Sequence, residues 1–217
     1  MSMAKLTREE KKARKQLEKD LALLIKRDAK ARGWGYADKT IFRRQGDWFI
    51  HATPIVSSER RHTDFQVTVK PFALDDIVSR ILGFNGLDGA PLSLRSRGPH
   101  CLVLPLYALD IEDEGADVGR MAERLWAFAD DKLAEVDQMT LDDFIAFARG
   151  DNPSRINQEI VAALILAKRL EEAKTLCETA IAAKQWSGSA RMTQDGRLVG
   201  FFEFARAWAE GYRPPPA

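Results

Sequence analysis

The side chains of this 217-residue chain best suited to chemistry are three histidines, His51, His62 and His100, two cysteines, Cys101 and Cys177, and a set of closely spaced arginines. Histidine titrates closest to neutral pH, so it is the first place to look for a proton shuttle or a metal ligand. His51 falls in a strand-like stretch, His62 in the polar segment SSERRHTD, and His100 beside Cys101 at the start of an apolar run. Metal sites announce themselves by spacings such as H-x-x-x-H or C-x-x-C, and the chain has neither. Cys101 opens an apolar stretch, where burial would raise its thiol pKa and disarm it as a nucleophile. Both cysteines therefore read as reduced, buried, hydrophobe-like thiols. No catalytic residue, no cofactor and no metal is expected.

The arginines carry the stronger signal. In IFRRQGDWFIHATPIVSSERRHTDFQVTVKP, residues 41 to 71, Arg43-Arg44 and Arg60-Arg61 flank what reads as an antiparallel meander. A three-residue connection Gln45-Gly46-Asp47 would set Arg44 opposite Trp48 and Phe42 opposite Ile50, a pairing suited to a cation–π stack. In the last strand Phe65, Val67 and Val69 alternate with Gln66, Thr68 and Lys70, which predicts one covered face and one wet face. Sheets that bind single-stranded nucleic acid display aromatics in a row on the wet face. The outward set here contains none, so Arg43, Arg44, Trp48, Arg60, Arg61 and His62 are expected to form a contact surface for a protein partner, acidic or otherwise.

Two alternatives remain. Arg95, Arg97 and His100 in LSLRSRGPH could hold an anionic or phosphorylated small molecule, as an enzyme or a binding protein would. Lys11, Lys12, Arg14 and Lys15 on the first helix could touch nucleic-acid phosphates without base preference. Other motifs fail on inspection. GFNGLDG spaces three glycines evenly but follows a helix, whereas a dinucleotide loop follows a strand. DIEDEGAD begins like a calcium loop, yet Met121 stands at the twelfth position, where a bidentate carboxylate is needed.

Charge is distributed unevenly behind a net +1: residues 1–71 carry +8, residues 72–150 carry −8 and residues 151–217 carry +1. Such halves can mark a nucleic-acid-binding part, or can satisfy each other across an internal or subunit interface, which leaves a homo-oligomer open. No run approaches the roughly 18 uncharged apolar residues of a membrane span, and no apolar block follows the basic N-terminus, so a cytoplasmic protein without membrane attachment is expected.

These residues need elements to position them. Leu17, Leu21, Leu24 and Ile25 form one apolar stripe on a helix over 7–32, whose first part, residues 1–15, lacks a stripe and is expected to project or fray. The meander follows, then a short helix LDDIVSRIL, a glycine- and proline-punctuated loop, and a strand CLVLPLYALDI bent or edged by Pro105. Asp117 and Thr140 look like helix caps. After residue 150 the pattern is helical, with SGSARMTQDG as a turn region, a last aromatic helix GFFEFARAWAE and a loose tail 213–217. The fold class is α+β: an N-terminal helix on a small antiparallel sheet, then a mainly helical half, with a division expected between 1–150 and 151–217.

Two resemblances add to this. Residues 159–184 resemble one helical pair of the tetratricopeptide repeat family through Ala163, Leu164, Leu170, Glu171, Glu172, Ala173, Cys177 and Ala180, without the opening Trp-x-x-Leu-Gly and without a second copy. Residues 15–85, a basic helix leading into a meander and then VKPFALDDI, resemble small bacterial α+β domains, some of which act as immunity proteins that neutralise a toxin by contact. That likeness implies a bacterial, non-catalytic, immunity-like or adaptor role.

Overall fold

A computed structural model of the chain describes residues 6–97, 105–112 and 117–213. The fold is α+β, with a five-stranded antiparallel sheet and a helical C-terminal half. It divides into two compact units, each made of two stretches of chain: residues 1–69 with 103–138, and residues 70–102 with 139–217. No helix among the described residues is long and apolar enough to cross a membrane.

In the first unit α1 (Arg8–Ala29) starts at a capping box in which Thr7 and Glu10 satisfy each other's backbone N–H groups, so the helix is nucleated at its first turn. Its buried side is Arg14, Leu21, Ala22, Ile25 and Ala29. The sheet runs in sequence order, β1 (Gly35–Ala37), β2 (Thr40–Gln45), β3 (Trp48–Val56), β4 (His62–Pro71) and β5 (Pro105–Glu112). Proline at the first residue of β5 fits its place at a strand start on the outermost strand of the described sheet, where the missing N–H is best tolerated. Helix α4 (Val118–Val136), capped by the Asp117 carboxylate at 2.8 Å from the Gly119 N–H, packs with α1 on one face of the sheet. Trp34 and Trp126 meet there with ring centroids 6.2 Å apart.

The β2–β3 connection corrects the expected register. It is a two-residue loop, Gly46-Asp47, with Gly46 at φ 56°, the backbone that a II′ turn asks of glycine. Trp48 therefore faces Gln45, Arg44 faces Phe49 and Phe42 faces His51. The one-residue slip changes which residues share a face. Neither side of β3 is wet: Phe49, Ile50, His51 and Ala52 are successive residues, all withdrawn from solvent. On β4, Phe65, Val67 and Val69 are buried as expected, but Thr68 and Lys70, expected outside, are buried too.

In the second unit α6 (Gln158–Leu166) is the hub. Its Ile160–Ile165 run is apolar on every side, a pattern that only a surrounded helix can bury. Around it pack α2 (Leu74–Ile81), α5 (Leu141–Arg149), α7 (Leu170–Ala182) and α8 (Phe201–Ala209); a four-residue turn, α3 (Leu94–Arg97), completes the helices. The segment read as a turn region is a small hairpin, β6 (Ala190–Met192) with β7 (Leu198–Gly200). Ala163, Leu164, Ala173, Cys177 and Ala180 are all fully buried in this unit.

Gly35 lies opposite Phe42, whose ring covers it so closely that a Cβ would overlap the ring atoms. Gly35→Ala is expected to destabilise the chain by about 1–3 kcal/mol through overpacking, read as a lower midpoint in urea unfolding; an unchanged midpoint would refute that packing account.

Candidate functional site

The ends of the sheet decide where the arginines go. The β3–β4 loop is held by Arg14 of α1, a buried guanidinium whose Nε donates to the Ser57 carbonyl and whose Nη2 donates to the His62 carbonyl at 2.6 Å. Arg14 is thus a loop clamp, not one of a row of phosphate-facing cations. Within the loop the Ser57 hydroxyl accepts from the Glu59 and Arg60 backbone N–H groups at 3.2 and 3.0 Å, closing a local turn. Arg60 is exposed with no carboxylate partner among the described residues. Arg61 donates to Glu10 while 63% of its side chain stays accessible.

Arg43, Arg44 and Trp48 do not join them. They sit at the β2–β3 turn, and β3 spans nine residues between that turn and the β3–β4 loop. At ~3.3 Å per residue this separates the two arginine pairs by about 26 Å. Trp48 is only 8% exposed and Arg43 is half-buried, whereas Arg44 is exposed and donates to the Gly46 carbonyl at 2.9 Å. The expected single contact surface is two sites, and Trp48 belongs to the core.

Of the histidines, His51 is buried edge-on against Phe49 with centroids 5.9 Å apart. His62 has different company. It lies two residues before Asp64 on β4, on the same face, and Asp64 pairs directly with Asp110 on β5. The imidazole Nε2 is 3.7 Å from Asp64 Oδ2, and one ligand atom from each of the three residues lies within 4.8 Å of the others. Spacing along the chain hid this, because the third member arrives from a strand far downstream.

In the second unit Arg95, one of the three residues expected to hold an anion, is engaged within the protein. Lys70 Nζ sits 2.9 and 2.8 Å from the two Asp75 carboxylate oxygens and 2.6 Å from the Arg95 carbonyl. Arg95 donates to Asp76 Oδ2 and to the Phe72 carbonyl, both at 2.8 Å, and its guanidinium carbon lies over the Phe72 ring 3.9 Å from the centroid. Asp76 Oδ1 in turn accepts from the Leu87 N–H at 2.5 Å. All four charged side chains are at least nine-tenths buried, and two cations face two carboxylates. Two of the Arg95 N–H groups are committed within the protein and the side chain is buried, which leaves little access for an external anion. The side chain of Arg97 and the whole of His100 lie outside the described residues, as does Cys101.

Half-buried Glu159, on the neighbouring α6, has its carboxyl pushed up by burial, against its own backbone hydrogen bond and the charge of Lys70. A cavity of about 340 Å³ is lined by Arg191, Thr193, Asp195, Arg197, Phe204 and Tyr212. Its guanidiniums are also engaged: Arg197 donates to Asp195 at 2.6 Å and Arg191 to the Leu82 carbonyl at 2.9 Å. Burial pushes the Cys177 thiol up to about 12, which leaves it protonated and unreactive.

No protein-family model, curated protein or solved structure matches this chain.

Two outcomes follow from these contacts. Lys70→Met strands Asp75 inside the core and is expected to cost about 3–5 kcal/mol in urea unfolding, most of it recovered in Lys70→Met/Asp75→Asn; equal losses in single and double variants would deny the coupling. Separately, the Thr7 backbone N–H and then Arg61 hold the Glu10 carboxyl down at about 2. Folding thus favours the ionised form, so this contribution is present above the ordinary value of 4.5 and is lost as pH falls towards 2. Carbon-detected NMR titration should place the Glu10 midpoint near 2 and move it upward in Arg61→Gln; a midpoint at the ordinary value would remove the pair.

Proposed function

We propose that the chain is a non-catalytic protein-binding module, of the immunity-like or adaptor kind, that meets an acidic protein partner through the β3–β4 loop. The observation that carries this reading is the clamped loop: Arg14 fixes the Ser57 and His62 carbonyls from behind while Arg60 and Arg61 point to solvent. Exposed charge on a preorganised loop loses little conformational freedom on binding. It also raises encounter rate and selects for complementary surfaces more than it adds affinity.

The contact is narrower than the sequence suggests, centred on Arg60 and Arg61 with His62 beside them, and Arg44 at the far turn is a separate exposed cation. The sequestered Arg95 weighs against an anion-binding enzyme, because its side chain is buried and donates to the Phe72 carbonyl and to Asp76. A bacterial, cytoplasmic setting belongs to the same proposal and rests on the resemblance to immunity proteins.

Affinity capture from the native cell, followed by association kinetics on the captured partner, tests the reading. Arg60→Glu/Arg61→Glu is expected to slow association at least ~10-fold at low salt and to flatten its ionic-strength dependence, with little change in dissociation. Identical association rates for the variant and the parent chain would exclude the loop as the contact. Capture of nucleic acid, with salt-dependent gel shifts, would replace this reading with phosphate binding.

A further inference from the structure

We propose that His62, Asp64 and Asp110 form a binding site for a divalent cation of the zinc class, with one imidazole nitrogen and two carboxylate oxygens as protein ligands. The site is built by strand register. His62 and Asp64 share a face because side chains two apart on a strand point the same way, and Asp110 stands directly across from Asp64 on β5. Nothing in a flexible loop has to be recruited: the backbones of both strands are fixed by their mutual ladder.

Two independent features of this place favour a cation over a bare polar surface. The first is electrostatic. Like charges directly opposite on neighbouring strands destabilise a sheet, and neither Asp64 nor Asp110 meets a lysine or arginine among the described residues. A dication between them turns a repulsion into two attractions.

The second is the donor set. An imidazole with two carboxylates is a borderline-hard nitrogen and oxygen environment of the sort that zinc and its neighbours accept. The imidazole and the Asp64 carboxylate face each other at 3.7 Å, beyond hydrogen-bonding reach, which is close to the ~3.4 Å that separates ligand atoms around a tetrahedral ion with ~2.1 Å bonds. The whole triangle of ligand atoms is no wider than 4.8 Å. His62 and Asp64 retain 20% and 31% of their side-chain exposure, so an ion has an entry path, and three protein ligands leave a further position open to water.

This site sits beside the Arg60–Arg61 loop but does not depend on the partner-binding reading. Its test needs no partner.

Protein stripped with chelator is titrated with zinc chloride alone by calorimetry, and melted with and without excess zinc. The expected result is one equivalent bound and a melting temperature raised by zinc, as linkage to the folded state requires. Asp110→Asn and His62→Gln should each weaken zinc at least ~10-fold and abolish the zinc-induced rise, since even losing a supporting residue costs 10–100-fold at such sites. Metal-free Asp110→Asn should be no less stable than the parent chain, because it removes the facing charges, so a weakened variant is not an unfolded one. No binding by the parent chain, or binding that both variants retain undiminished, overturns the site.

Discussion

A charged side chain sealed away from water has to be matched at short range or expelled, and Lys70 imposes that condition where β4 gives way to α2. Its ammonium donates to Asp75 Oδ1 and to the Arg95 carbonyl, with Asp75 Oδ2 also within ion-pair distance, and Arg95 in turn needs Asp76 and the Phe72 carbonyl. Five residues of strand end, helix start and loop are thereby tied to one geometry. Asp75 and Asp76 also stand in the first turn of α2, where the helix dipole favours negative charge. The same carboxylates that neutralise the cations thus also sit favourably in the helix dipole. Replacing such a cluster with apolar residues can be neutral or stabilising, so its contribution is better sought in specifying one arrangement of this junction than in raw stability.

The local elements were legible because their signals are short-range. Asp117 and Thr140 cap helices at the places their side chains indicate, and the apolar run of α6 and the alternation of Phe65, Val67 and Val69 carry their burial in their composition. What failed was whatever depends on a partner distant in sequence. Lys70 looks like the wet member of an alternating strand until Asp75 and Arg95 are brought against it. Arg14 looks like one more cation in a basic helix until the Ser57 and His62 carbonyls appear beside it. The register error has a different origin: Gly46 supports both a two- and a three-residue turn, and only cross-strand packing chooses between them.

The candidate sites show the same division. Arg60 and Arg61 were readable as exposed because polar loop residues flank them on both sides. His62 reads from the sequence as a member of a polar segment, and Asp110 as the end of an apolar strand or the start of a failed calcium loop, so nothing local brings the two together. The two-unit organisation was equally hidden: each unit takes its two stretches from separate parts of the chain, and composition along the chain does not reveal which distant stretches will share a core.

Among the described residues β1 and β5 are the outermost strands of the sheet, and the margins of an open sheet can recruit strands from other molecules. Here β1 is only three residues long, which offers little template. At the other side β5 begins at a proline that cannot donate and carries the charged Asp110 outward. Both margins are therefore poor substrates for intermolecular ladder growth, the usual defence of a natural sheet against fibrous association. The acidic character of β5 that suits an ion is, on its own, already a guard against self-templated aggregation.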